Sequence, residues 1–254
     1  MLGMENILLF SLIIMRISGF ILFNPILGRR NIPGLVRSGI IIALSMIILT
    51  TKQYPPVEVQ TTIEYAVLLL KEFFAGYALG LVVNLFLYII ILAGEIMDYQ
   101  MGLGMAKIYD VQSNSSLALS ATYYNILFML LFFVSDAHIA MIQMLLHSGE
   151  LLPYGSIVFQ ESVSSAILQI FCDCTVFAVR LAMPILAAEI FLEIGVGILM
   201  KTIPQINVFI VNIQAKLLLG LLLMILMFTP ITEFLDNCIV MMFDALQQFV
   251  QLLS

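Results

Sequence analysis

The sequence predicts an all-α membrane protein with an amphipathic helix at its C-terminus. Of the 254 residues, 62% are hydrophobic and only 10% are charged, whereas about a quarter of the residues of a soluble domain are charged. A soluble domain of this size has too little interior to bury so many apolar side chains. The apolar residues also cluster in runs near the roughly 20 residues with which a helix crosses a bilayer.

Six apolar runs predict the helices in order. They cover residues 7–27, 35–50, 65–93, 117–134, 174–200 and 206–230. The third run is longer than one span needs and the second is short, which favours helices that tilt, kink or leave the membrane plane. Pro25, Pro184 and Pro230 lie in or near these runs, so we expect kinks there.

Polar, Gly and Pro residues mark the connections between the runs. These connections are residues 28–34, 51–64, 98–116, 148–156 and 202–205. The tail, 231–253, has apolar residues at three- and four-residue steps, which predicts an amphipathic helix that lies on a membrane or packs on a partner. The stripe is Phe234, Leu235, Cys238, Ile239, Met242, Leu246, Phe249 and Val250.

Charge, cysteine and histidine patterns exclude several functions. The net charge is −6 without a block of like charge, which argues against nucleic-acid binding. An odd number of cysteines, three, argues against a disulfide framework. His138 and His147 are nine residues apart, whereas paired metal ligands on a helix prefer steps of three or four. We therefore predict no metal and no cofactor. Because no phosphate-binding loop or nucleophilic triad occurs, we also predict that the chain is not an enzyme.

Ionisable residues inside the apolar runs need a partner, water or protein burial, because a charge at mid-bilayer costs about 2.5–3.5 kcal/mol on insertion scales. The residues predicted as buried charges are Arg16, Arg180, Glu189, Glu193 and Lys216. They have two interpretations, an ion or proton path and pairing between helices or subunits. Glu189 and Glu193 lie four residues apart on one helix face, so a nearby cation is expected to relieve their repulsion.

Two glycine patterns indicate close contacts. Gly76 and Gly80 form a GxxxG step inside an apolar helix, which lets another helix approach closely. The stretch 94–116 joins a region rich in Gly and Met to a polar one, and flexible Met side chains can seal an irregular gap. This stretch is either a gate or an ordinary connection between helices. The gate candidates are Glu95, Met101, Gly102, Gly104, Met105 and Asp110.

Three motifs in this order resemble the FliR family of flagellar export proteins, which is also represented in virulence type III secretion. They are NPILGRRNIP at residues 24–33, GE at 94–95 followed by QMG at 100–102, and LMKTIPQIN at 199–207. Residues 182–230 also resemble the small FliQ-type subunit. The resemblance implies one export-gate domain of kinked helical hairpins. Its FliP-like part is 1–172, with a pore loop at 98–116, and its FliQ-like part, with the C-terminal helix, is 173–254.

The same resemblance implies a function. Family members assemble with FliP-like and FliQ-like subunits, and with an FlhB-like switch protein, into a gated channel at the base of the rod. Unfolded polypeptides pass through this gate in the bacterial inner membrane, and a plug at about 105–116 closes it. The candidates for assembly are Arg29, Arg30, Gly76, Gly80, Pro204, Gln205 and Asn207. The alternative is a secondary transporter of a small solute or ion, with a midplane site of Glu189, Glu193 and Arg180.

Overall fold

The computed structural model of the chain describes residues 4–29, 31–51, 54–55, 57, 59, 61–104, 107–110, 115–159, 161–202 and 208–253. These residues form eight helices and one two-stranded sheet, so the predicted all-α membrane fold is confirmed with a small hairpin added. The helices are α1 (Met4–Phe23), α2 (Gly34–Thr51), α3 (Thr62–Met101), α4 (Leu119–Val134), α5 (Ala137–Leu151), α6 (Glu161–Thr202), α7 (Val208–Leu226) and α8 (Phe228–Leu252).

The connection predicted at 98–116 is shorter and more ordered than expected. Helix α3 continues to Met101, because Met97, Asp98 and Met101 extend its buried face. Strands β1 (Lys107–Asp110) and β2 (Ser115–Ala118) then pair antiparallel, with Lys107 opposite Ala118. Helix α4 follows β2 directly. The described part of the predicted loop therefore consists of the last turn of α3, residues 102–104 and two paired strands.

Two helices differ from the apolar runs. The sequence places no helix at α5, whose polar residues interrupt the hydrophobic pattern. Asp136 precedes this helix with a φ of 56°, in the left-handed region, and His138 lies in its first turn. Helix α6 begins at Glu161, well before the apolar run at 174, and continues through Pro184.

Four helices among the described residues are long and apolar enough to cross a membrane, namely α1, α2, α3 and α6. The number rises to six if two bent helix pairs each count as one span, and one of these pairs, α7 and α8, bends by 65°. At 1.5 Å per residue, the 40 residues of α3 and the 42 residues of α6 extend about 60 Å each. This is about twice the 30 Å hydrocarbon core. Uneven helix length, predicted from the runs, is therefore a property of the fold.

The chain divides into two compact units. The first contains Met1–Phe86, Asp136–Phe171 and Val240–Ser254, and the second contains Leu87–Ser135 and Cys172–Ile239. One of the crossings between the units, at Phe171 and Cys172, lies beside the boundary that the resemblance implies at residue 172. The division into FliP-like and FliQ-like parts stays a prediction.

Each unit has an apolar interior of its own. In the first, α1 packs against α2 and buries a stripe at three- and four-residue steps, which includes Ile13, Ile17 and Phe20. The predicted stripe of α8 is buried as well, with Leu246 and Phe249 in the first unit and Leu235 and Cys238 in the second. The apolar face of the C-terminal helix is thus covered by the chain itself.

Candidate gate and buried charges

Arg16 of α1 forms the centre of a buried polar cluster in the first unit. Its Nε donates to Oε2 of Glu72 in α3 at 2.6 Å, and both side chains are almost completely inaccessible. Its Nη1 donates to the carbonyl oxygens of Leu152 at 2.8 Å and Ser148 at 3.3 Å. The guanidinium carbon lies 4.1 Å from the ring centroid of Tyr154, a cation–π contact. Arg16 is therefore paired inside the chain.

The neighbouring charges of α3 bind the same connection between α5 and α6. Oε1 of Glu72 accepts the backbone N–H of Gly155 at 2.8 Å, and Nζ of Lys71 donates to the carbonyl of Ile157 at 3.3 Å. Gly155 has a φ of 84°, a conformation that favours glycine. Three charged side chains thus satisfy backbone groups within residues 148–157, the last turn of α5 and the non-helical segment after it, which would otherwise bury unpaired polar atoms. We call residues 148–157 the strap.

Two tyrosines complete the packing around the strap. The rings of Tyr54 and Tyr154 meet edge to face with centroids 5.1 Å apart. Burial raises the pKa of Tyr154, with Arg16 acting more weakly in the opposite direction, and burial also raises the pKa of Tyr54. Both phenols are therefore protonated at neutral pH. A side chain at Gly149 would meet the ring of Tyr154 at 2.6 Å, so this position requires glycine.

The remaining predicted charges lie in the second unit. Glu189 of α6 is buried, and neither of its carboxylate oxygens has a hydrogen-bond partner among the described residues. Lys216 of α7 forms an ion pair with Glu193, one helical turn after Glu189. Glu193 and Arg180 are exposed on this chain, so their burial in the membrane or against another subunit stays a prediction. An apolar run locates a helix but does not indicate which side of it faces the interior.

The base of the β-hairpin is held by Asp98 of α3 and Ser120 of α4. The backbone N–H of Ser120 lies 3.2 and 3.3 Å from the two carboxylate oxygens of Asp98, and its hydroxyl donates to the same carboxylate. Both residues are buried. The Ser120 hydroxyl also lies 3.6 Å from Sδ of Met224 in α7. Nearby, a side chain at Gly94 would overlap the backbone of Ala121, so α3 and α4 approach closely here.

Met101, the last residue of α3, is fixed on α7. A Cβ atom added to Gly220 would overlap the thioether of Met101 and lie 3.4 Å from Oε1 of Glu189. Met101 is 1% exposed. The next residue, Gly102, has a φ of 79°, and no atom of the described residues lies within 4 Å of a side chain built there. One gate candidate, Met101, and one predicted charge, Glu189, therefore both lie beside Gly220.

The other gate candidates are not gathered at one point. Glu95 lies in α3 and is half-buried, whereas Gly104 is exposed after the end of that helix. Asp110 is the last residue of β1. Met105 lies outside the described residues. The gate candidates thus mark the hairpin and the end of α3 that precedes it.

Three of the assembly candidates have a described position. The carbonyl of Arg29 accepts the N–H of Ile32 at 2.9 Å in the turn after α1. Gly76 and Gly80 face α1 of the same chain, since a side chain at Gly76 would overlap the carbonyl of Arg16 and one at Gly80 would lie 3.0 Å from that of Phe20. The helix that approaches this step is therefore intramolecular. The other candidates, Arg30, Pro204, Gln205 and Asn207, lie outside the described residues.

Sequence reasoning missed Asp98, Ser120, Gly220 and Tyr154. Asp98 follows Gly94 by four residues, so the two share a helix face, which was an available signal. The other three become notable only when distant segments meet. Within the described part of the chain, no group of three His, Cys, Asp or Glu side chains is arranged to hold a metal ion.

Comparison with known proteins adds a family to this geometry. Residues 7–242 match the family described as "Bacterial export proteins, family 1". The chain belongs to this family, the FliR family. Its relatives include the flagellar biosynthetic protein FliR of Bacillus subtilis (strain 168), which is 24% identical over 96% of this chain and 95% of its own length.

Two further relatives agree with this assignment. FliR of Aquifex aeolicus (strain VF5) is 27% identical over 93% of this chain and 91% of its own length. FliR of Escherichia coli (strain K12) is 24% identical over 93% and 90%, respectively. Membership of the FliR family makes the chain a component of the flagellar export apparatus, and its apolar helices make it a membrane-embedded one.

Proposed function

We propose that the chain is the FliR-like subunit of a protein export gate in the bacterial inner membrane. With FliP-like and FliQ-like subunits it forms a gated channel for unfolded export substrates and a base for rod assembly. The observation that carries this proposal is the β-hairpin between two apolar helices, α3 and α4, in a chain of the FliR family. We call the paired strands β1 and β2, residues 107–110 and 115–118, the gate hairpin.

The gate hairpin has the stability expected of a closing element. A two-stranded sheet by itself is marginally stable in water, and this one has four residue pairs. Its strands and their connection contain the polar residues Lys107, Asp110 and Ser115, unlike the apolar helices around it. The hairpin can therefore be displaced at a lower cost than either of its flanking helices, whose buried faces hold them in place.

Large exposed apolar surfaces support the proposed partners. Phe191 of α6 is 74% exposed, and Leu218 and Ile225 of α7 are 69% and 73% exposed. Large apolar side chains that are this exposed on membrane helices face lipid or other subunits. FliP-like and FliQ-like subunits are the occupants that we propose, with an FlhB-like switch protein at the connection between α6 and α7. That connection is short, since α6 ends at Thr202 and α7 begins at Val208.

The transporter alternative receives less support. Its midplane site requires Glu193 as an available carboxylate, but Glu193 is paired with Lys216. The family match covers nearly the whole chain and concerns export proteins.

Deletion of residues 105–116 should open the gate. We expect cells that carry the assembled gate with this deletion to leak ions severalfold faster than cells with the unaltered gate, because the closing element is absent. The measurement is the ion flux across the membrane, with co-purification of FliP-like and FliQ-like subunits as proof of assembly. A Gly-Ser segment of the same length serves as a second variant that keeps the spacing of α3 and α4. Assembled gates of both kinds that leak no more than the unaltered gate would contradict the proposal.

A further inference from the structure

The base of the gate hairpin contains contacts that the family assignment does not explain. We propose that Asp98, Ser120 and Gly220 are positioning residues, which hold the end of α3 and the start of α4 in place on either side of the gate hairpin. This inference rests on the proposed function, because it assigns a role to residues that support the closing element. None of the three residues belongs to the hairpin itself.

The first contact ties α3 to α4. Helix α4 begins at Leu119, and the preceding Ala118 has no side chain that can accept a hydrogen bond from the first turn. The N–H of Ser120 would therefore lack a partner in the helix, as the first N–H groups of any helix do. The carboxylate of Asp98 accepts this N–H and the Ser120 hydroxyl. A carboxylate is well suited to this place because the helix N-terminus carries partial positive charge.

The position of this contact matters for the hairpin. Strand β2 ends at Ala118, two residues before Ser120, and α3 ends three residues after Asp98. The Asp98–Ser120 contact therefore joins α3 to α4 beside the hairpin, where the chain leaves the one helix and enters the other. Both side chains are buried, at 1% exposure each. A buried carboxylate that lost these donors would bear the full cost of its desolvation, so the contact resists separation of the two helices.

The second contact holds the end of α3, which precedes the hairpin, against α7. The thioether of Met101 occupies the space that a side chain at position 220 would need. Met101 is the final residue of α3, and Gly102 follows in a conformation with φ 79° that other residues rarely adopt. The N–H of Gly102 donates to the carbonyl of Tyr99 at 3.3 Å, and the N–H of Leu103 donates to the carbonyl of Asp98 at 2.8 Å. The chain thus leaves α3 through a hydrogen-bonded turn that follows a fixed residue, so α3 and α7 together set the direction in which it leaves the helix.

A double-mutant cycle tests the second contact. We expect Gly220→Ala to raise the ion leak of the assembled gate severalfold. The new methyl group displaces Met101 and with it the end of α3 that precedes the hairpin. Met101→Ala vacates this space, so the Met101→Ala/Gly220→Ala gate should leak no more than the Met101→Ala gate. Gly197→Ala is the matched control, since a side chain at this glycine of α6 meets no atom within 4 Å. The amount of co-purified complex is measured in parallel, to separate gating from assembly.

Substitutions at Asp98 test the first contact. Asp98→Ala removes every acceptor for Ser120 and should leak severalfold more than the unaltered gate. Asp98→Asn keeps one acceptor oxygen and the side-chain shape, so it should restore much of the closure. Assembled gates in which Asp98→Ala and Gly220→Ala leak like the unaltered one, while deletion of 105–116 leaks, would overturn the positioning role and leave the proposed function intact. If the deletion itself does not leak, the proposed function fails.

Discussion

Replacing Arg16 with Met will prevent the chain from accumulating in an assembled gate. The substitution leaves the carboxylate of Glu72 buried, with the N–H of Gly155 as its remaining hydrogen-bond donor. It also removes the donor to the carbonyls of Ser148 and Leu152. Removal of one partner of a buried ion pair costs about 3–5 kcal/mol. This is a large fraction of the roughly 5–15 kcal/mol by which folded domains are stable.

The double variant Arg16→Met/Glu72→Met distinguishes a lost charge balance from lost packing. It removes both charges, so we expect it to recover part of the complex that Arg16→Met loses, since apolar replacement of a whole buried pair is often tolerated. Recovery should be incomplete, because the backbone groups of the strap remain without their partners. The measurement is the yield of co-purified complex and its resistance to protease in detergent.

Arg180→Met is the matched control for these two variants. Arg180 is exposed on the chain and its guanidinium carbon lies 5.7 Å from the ring centroid of Phe177. The side chain therefore has little to lose within this chain, and its replacement should leave the yield nearly unchanged. If Arg16→Met and Arg180→Met gave equal yields, the buried cluster would not have the stabilising role that its geometry indicates.

The helices could be predicted from the sequence because their main determinant is local. A run of apolar residues near bilayer length predicts a helix without knowledge of any other segment, and the ends of α2 lie within one residue of the predicted run. The partners of Arg16 could not be predicted in the same way. They lie 56 to 136 residues away along the chain, in α3 and in the strap. A single sequence shows that the charge needs a partner but not which one.

The gate hairpin shows a second limit of local patterns. Residues 98–116 lack an obvious Pro-Gly turn, so the sequence predicts a connection there and no strands. The start of α4 also lacks a capping residue of its own, because Ala118 precedes it and Asp98 of another helix takes that role. A cap supplied by a distant helix leaves no signal beside the helix that it stabilises. The sequence therefore indicates residues in and beside the hairpin, but not Asp98, Ser120 and Gly220, which hold the adjoining helix ends.

The close contact at the GxxxG step could be predicted in part from the sequence. The spacing of Gly76 and Gly80 predicts a close helix approach, but not that the approaching helix is α1 of the same chain. The contact is reciprocal, because Gly19 of α1 also faces α3, and a side chain there would overlap the carbonyl of Phe73. Backbone therefore meets backbone at this crossing, and neither helix has a flexible side chain that could move aside.

Gly76→Ala should abolish assembly, while two other Gly→Ala substitutions should not. The new methyl group at position 76 would overlap the carbonyl of Arg16, so α1 must move and the Arg16–Glu72 pair must separate with it. Overpacking costs about 1–3 kcal/mol and occasionally more, and loss of the buried pair adds to this. At Gly80 the same methyl group lies 3.0 Å from the nearest atom, which a small shift can relieve, so a partial loss is expected.

Gly39→Ala completes this graded series as the control. Gly39 lies in α2, and a side chain there meets no atom within 4 Å. Alanine is the better helix former by up to about 1 kcal/mol, so this variant should assemble as well as the unaltered chain. Yield and thermal stability of the co-purified complex should therefore fall in the order Gly39→Ala, Gly80→Ala, Gly76→Ala. Three equal values would mean that helix propensity decides the outcome. The predicted order would show that the contact between α1 and α3 decides the outcome, since the same methyl group is added each time and only its neighbours differ.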